Sequence, residues 1–215
     1  LNVWLDDRLA VLEQFARFRG EPEGASEAAF RREAGVFITR VPGFQAINWV
    51  NADGVISIVE PQALNAPALG RDLTVHPLEG VRKAVERSLD TLLPSRTPWI
   101  DFYQGGSGFS VYWPVETPGE TYGGIVNGVF NLDLLVAHAL PDLRLGGRHL
   151  IVLAEADGTR VFGTGAPEIG REWKSSLSPT SRTSNAPMGR EGVRRMFSST
   201  PSIWLGRHAS NRWNR

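Results

Sequence analysis

The chain has 215 residues, is 41% apolar and carries 23 basic and 23 acidic residues, enough for one moderate core or a core with an appendage. It contains no cysteine, which excludes disulfides, thiolate zinc sites and cysteine nucleophiles. The longest approach to an apolar span, residues 123–140, is interrupted by Asn127, Asn131, Asp133 and His138, so no membrane-spanning segment is expected in the sequence as given.

The neutral total hides a split. Residues 171–215 hold 9 Lys+Arg and 2 Asp+Glu, which leaves 14 and 21 in residues 1–170, a formal charge of about −7. Such an acidic body argues against nucleic acid as the main partner. The opening on Leu1, with no signal peptide, reads as a piece cut from something longer.

In chain order, Val3, Leu5, Leu9, Leu12, Phe15 and Phe18 recur at helical spacing among charged residues, which predicts an amphipathic helix over 3–18. "GEPEGAS" interrupts it. Ser26 is a fitting N-cap for a second helix over 27–40, with Phe30, Ala34, Phe37, Ile38 and Val41 on one face, and Pro42-Gly43 stops that helix. The period then changes: "FQAINWV" and "VISIVEP" read as strands joined by the Asp-Gly turn of "NADG". A proline-punctuated loop follows. "LEGVRKAVERSLDTLL" reads as a helix with Val81, Ala84, Val85, Ser88, Leu89 and Leu92 inward.

Three glycines in "QGGSGFSVYWPV", residues 104–115, look at first like a phosphate cradle. A phosphate loop delivers its glycines to a helix N-terminus. Here they lead into a β-branched and aromatic run, so the stretch reads as a turn between strands 99–103 and 109–115. A P-loop lacks its Lys-Ser/Thr pair, and around Ser107 a nucleophile elbow lacks its second glycine, with Phe109 in that place. Next come a strand in "YGGIVNGVFNL", a short helix in "LDLLVAHAL" and a hairpin in "HLIVLAEADGTRVFGT". From Lys174 on no period is visible. The serine- and arginine-rich stretch 174–215 reads as an irregular, disordered basic tail; a reading frame slipped near Lys174 would produce the same change in composition.

The histidines at 76, 138, 149 and 208 form no i,i+4 metal pair, and no enzyme signature is found in residues 1–170. No cofactor and no metal is expected. The element order predicts an α+β fold of the PAS-like or Cache-like kind: an antiparallel sheet with N-terminal helices, and a covering helix that encloses a small cavity.

Five short blocks in order resemble the CHASE family, the extracytoplasmic sensor module of membrane receptors. They are "PGFQAINWV", "VEPQALNAPALGRDL", "VRKAVERSLDTLLPSRTPWI", "GFSVYWPV" and "GGIVNGVFNLDLL", about half of the chain. The resemblance implies a signalling helix over 1–25, a sensor module over 26–173, membrane spans on both sides, and a cytoplasmic histidine kinase or diguanylate cyclase output. It implies a small-molecule ligand, a periplasmic or extracellular location and no catalysis in this portion. It departs from the family in the break at "GEPEGAS" and in the lack of a span after Thr164. Asp72 is similar in place to the acid that hydrogen-bonds a ligand nitrogen in plant cytokinin-receptor members; a turn-capping aspartate is the plain alternative. Thr97 and Trp99 are similar to pocket-side positions, with a strand-start threonine and a core tryptophan as the plain alternative, and Asp101 is a candidate ligand contact that alternates with the next residues along the meander. Phe109, Val111 and Trp113 share a strand face by period two, as pocket wall or plain core. Gly124, with Gly123 and Gly128, leaves side-chain space on the next strand. A homodimer along the first helix is expected from its apolar stripe. The competing reading is a PAS-type module that binds a protein partner.

Overall fold

The computed structural model describes residues 2–117 and 120–142, together with the strands 149–154, 160–163 and 202–207. Two compact units divide the chain, Leu1–Leu143 and Arg144–Arg215.

The first unit opens with α1 (Asn2–Gly20) and α2 (Glu27–Arg40), joined by a 3-10 turn at Pro22–Gly24. The predicted cap holds: Ser26 is extended, and its Oγ accepts from the Ala29 amide at 3.1 Å. Then come β1 (Phe44–Val50), β2 (Ile56–Glu60), a one-turn helix α3 (Gln62–Asn65), α4 (Glu79–Thr91), β3 (Ser95–Arg96), β4 (Ile100–Asp101), β5 (Ser107–Thr117), β6 (Glu120–Asn131) and α5 (Leu132–Asp142). One antiparallel sheet runs in the order β2-β1-β6-β5-β3, and β4 also pairs with β5. This is the expected α+β arrangement.

Two details differ from the sequence reading. The strand expected over 99–103 is shortened to β4, and a further short strand, β3, pairs with β5 ahead of Pro98, which offers no amide to the ladder. Leu92, expected inward on its helix, is instead the left-handed C-cap of α4 at φ 51°. The glycine turn is a hairpin loop: Gly105 and Gly106 sit at φ 84° and 78° between β4 and β5.

Helices cover both sheet faces. Leu5, Leu9, Leu12 and Phe15 of α1 are each at most 2% exposed, worth roughly 1.5–3 kcal/mol apiece. They pack toward a sheet face bearing Phe44, Phe109 and Phe130, whose rings meet at 4.5 and 5.0 Å. Phe15 touches Phe30 of α2, and Phe30 touches Trp49 of β1. The apolar stripe of α1 is thus spent on the chain's own sheet, and the case for a dimer seam along that stripe loses its physical ground. On the opposite face, Val81, Ala84 and Val85 of α4 join Val50, Tyr112 and Ile125 in a second core.

The second unit holds β7 (His149–Ala154), with β8 (Arg160–Gly163) and β9 (Ser202–Arg207) antiparallel on its two sides. β9 falls within the stretch read as an irregular tail. Trp204 pairs with Val152, a partner 52 positions away that no local pattern discloses. The rest of 174–215 lies outside the described residues.

Candidate functional site

A cavity of about 30 Å³ lies between the α4-facing side of the sheet and the segments that cross it. Its floor is Asn48 of β1, Ser110 and Tyr112 of β5, and Asn127 and Val129 of β6. Its wall comes from Ile56, the 61–78 connection through Ala68, Leu73 and His76, and Val81 of α4. Ile100, Asp101, Phe102, Tyr103 and Gln104 form the rim.

Register builds the floor. Asn48 stands opposite Asn127, and Asn127 opposite Tyr112, so three adjacent strands contribute to one spot. Asn48 and Asn127 are 1% and 2% exposed. Asn127 Nδ2 donates to the Val111 carbonyl at 3.2 Å, and Asn48 Nδ2 donates to Asn127 Oδ1 at 2.9 Å. The backbone carbonyl orients both amides, since an oxygen turned toward it would repel. Asn48 Oδ1 is left buried without a donor. A buried acceptor in that state costs about 1–3 kcal/mol, and groups of this kind are rare in native proteins.

Two titratable groups share the site. Burial holds the Tyr112 phenol well above its ordinary range, against a hydrogen bond with Ser110 that acts the other way. It is therefore a neutral phenol at physiological pH. Burial also lowers His76, and the positive charge of Arg82 acts in the same direction. His76 Nδ1 accepts from the Leu78 amide at 3.0 Å, so the neutral ring carries its proton on Nε2. The ring lies 4.8 Å from that of Tyr103.

The residues singled out from sequence fall in different places. Asp101 lines the cavity at its rim. Asp72 is not a lining residue. Its Oδ1 accepts from the Thr74 amide at 2.8 Å and the Thr74 hydroxyl at 2.7 Å, and these bonds hold its carboxyl below the usual value. Thr97 is fully buried as a sheet staple: its Oγ1 accepts from the Ser110 amide at 3.0 Å, and its own amide donates to the Ser110 carbonyl. Trp99 packs edge-on against Phe109 at 5.4 Å. Phe109, Val111 and Trp113 do share a face, but it is the face opposite the cavity, since the alternate residues Ser110 and Tyr112 line the floor. Gly124 also lies away from the cavity, at φ 139°, with the Trp49 ring where a Cβ would stand. Asn48, Asn127, Ser110, Tyr112 and His76 went unmarked. The available signal was the asparagine inside each of two otherwise apolar strands, "INWV" and "IVNGV".

Among the described residues no group of His, Asp and Glu is placed to hold a metal ion, and no helix is long and apolar enough to cross a membrane.

No protein-family model matches the chain, and neither does any curated protein. Solved structures do. An extracellular ligand binding receptor from Desulfohalobium retbaense superposes with a TM-score of 0.60 at 19% identity, over 83% of this chain and 32% of that one. The ligand binding domain of the Pseudomonas aeruginosa amino acid chemoreceptor PctC, in complex with GABA, gives 0.53 at 20% identity, over 74% and 67%. That of the Pseudomonas fluorescens chemoreceptor CtaA, in complex with L-serine, gives 0.56 at 19% identity, over 78% and 66%. The fold is that of Cache-like chemoreceptor sensor domains. The chain spans about a third of the first protein's length and about two thirds of the other two.

Proposed function

We propose that the chain is the extracytoplasmic ligand-sensing part of a transmembrane signalling receptor, with the cavity over Asn48 and Asn127 as its ligand site. One observation carries this reading: Asn48 lines the floor of a cavity, and its Oδ1 is a buried acceptor without a donor. A ligand that donates there recovers a hydrogen bond the empty protein forgoes. The finer CHASE assignment, the 1–25 signalling helix and 26–173 sensor module, the periplasmic location and a kinase or cyclase output belong to the same reading. They rest on the five sequence blocks. The portion has no catalysis of its own.

A relay leads out of the site. Gln45 Nε2 donates to the Gly105 carbonyl of the rim loop at 3.0 Å, and Asn131 Nδ2 donates to Gln45 Oε1 at 2.7 Å. Asn131 Oδ1 in turn accepts from the Asp133 and Leu134 amides at the start of α5. Closure of the rim on a ligand shifts this start. The size of the response is bounded by the ligand's differential affinity for the two states. A homodimer through α1 would use its outer face, where Asp6, Ala10, Gln14 and Arg17 are exposed.

The test is a thermal-shift screen of the chain against amines, purines, amino acids and small carboxylates. Binding raises the midpoint by mass action. Hits are expected to survive Asp72→Ala and to be lost in Ala68→Leu, which fills the cavity wall. A hit lost in Asp72→Ala but kept in Ala68→Leu would move the site elsewhere.

A further inference from the structure

Given the cavity as the sensor site, a reading on which this inference rests, its lining decides the chemistry of the ligand. Among the described residues Asp101 is the acidic residue of the lining, and its carboxyl makes no ion pair and no side-chain hydrogen bond there. Among the described residues the lining contains no lysine or arginine. Two arginines adjoin it, and both are engaged. Arg82 donates to the His76 and Pro77 carbonyls. Arg71 donates to the Pro67 carbonyl at 3.1 Å and stacks over the Tyr103 ring at 4.8 Å.

The acceptors, in contrast, are waiting. Asn48 Oδ1 is buried and unpartnered, and Asp101 is exposed at the mouth. The rim ring of Phe102 adds a negative π-face, which favours a cation. A ligand carboxylate would enter beside Asp101 with no cation among the described lining residues to receive it and would itself bring no donor to either acceptor. The volume, about 30 Å³, admits a buried part of roughly two or three heavy atoms.

We propose that this cavity takes a small organic amine without a carboxylate, its ammonium paired with Asp101 at the rim and a second donor reaching Asn48 Oδ1 on the floor. Short amino alcohols and diamines have this shape. Ethanolamine is L-serine without its carboxylate, and n-propylamine bears the same relation to GABA, so two matched pairs isolate the one group in question.

Titration calorimetry on the whole chain would measure ethanolamine against L-serine and n-propylamine against GABA. The amine of each pair is expected to bind at least tenfold tighter. Asp101→Asn is expected to weaken ethanolamine at least tenfold and to leave the unfolding midpoint of the free protein within about 2 °C, because the side chain is exposed and unpaired. The Asn48 and Asn127 side-chain amide resonances report occupancy without any mutation, and both are expected to shift with ethanolamine. If L-serine or GABA binds as tightly as its amine, or if Asp101→Asn leaves ethanolamine unchanged, the amine assignment is overturned. Should those amino acids also move the two asparagine resonances, the cavity keeps its role as the sensor site. If no compound of the wider screen moves those resonances in folded protein, both the assignment and the sensor reading fall.

Discussion

The paired amides of Asn48 and Asn127 make the sharpest test of the site's physics. Asn127→Val removes the bonds at 2.9 and 3.2 Å, strands Asn48 Nδ2 beside an already orphaned Oδ1, and strips a donor from the Val111 carbonyl. At about 1 kcal/mol per lost bond and at least about 1 for each of the two buried groups left unpaired, the cost is about 4 kcal/mol. Asn48→Val strands Asn127 Oδ1 but also deletes the orphaned Asn48 oxygen, so it costs only about 1 kcal/mol. The double variant loses both bonds, leaves a single carbonyl short of a donor and deletes the orphaned oxygen, and should cost about 2 kcal/mol. The cycle therefore couples by about 3 kcal/mol, the double variant being more stable than Asn127→Val alone. In a chain of this size the midpoint of the single variant is roughly 8–16 °C lower, about half of it recovered in the double. Urea unfolding followed by tryptophan fluorescence reads the effect. If the two single costs simply add, the amides do not act as a pair and the argument for a vacant acceptor collapses. The double variant should fold and fail to bind.

Other outcomes follow from single contacts. Ser26→Ala removes the cap of α2 and should cost about 1 kcal/mol in urea unfolding, while Ser26→Asp should cost little. Gly124→Ala forces a Cβ onto the Trp49 ring and the Val50 carbonyl at a positive φ; a loss of about 2–4 kcal/mol is expected, with ligand affinity unchanged in the protein that remains folded. For pH, the lowered value of His76 means that the unfolded chain takes up the proton first. Stability from this group is full above about pH 6.5 and falls as pH drops toward the native value. Asp72 and Glu79, whose carboxyls are also lowered, by Thr74 and by Lys83 respectively, lose their contribution only below about pH 4. A midpoint comparison at pH 7.5 and 5.5 thus avoids these carboxylates, and the part of the difference lost in His76→Gln is that of His76.

Local pattern made most of the first unit legible. Helical spacing placed α1 and α4, Ser26 marked the start of α2, and Pro42-Gly43 its end. The Asp-Gly turn announced the β1–β2 hairpin. What the sequence could not disclose was pairing across distance. Period two puts Phe109, Val111 and Trp113 on one face, yet which face meets a cavity depends on where α1 and α4 dock. Aromatic residues invited the pocket role and went to the core, where a ring buries most area. Asp72 had the look of a ligand group, but its carboxylate is consumed by Thr74 two residues on, the commonest fate of a loop aspartate. Asn48 and Asn127 are 79 positions apart, and their meeting is a product of the β1–β6 register.

That meeting sits where a sensor has use for it. Buried amides inside central strands break the local rule that such positions are apolar, and breaches of this kind concentrate at functional sites. β1 leaves α2 through three residues, and β6 runs without interruption into α5. The two strands that carry the pair are thus the ones that join the site to helices at its borders. In the proposed reading a bond formed at Asn48 would act on the strand pairing between α2 and α5, while the rim loop is joined to the same end of β6 through Gln45 and Asn131. Floor and rim converge on the start of α5. Loss of Gln45 should therefore separate binding from response: in Gln45→Leu the ligand still finds Asn48 and Asp101, but amide exchange at the first turn of α5 should no longer change when it does. An unaltered ligand-induced change in that exchange would remove Gln45 from the path and leave the strand itself as the carrier.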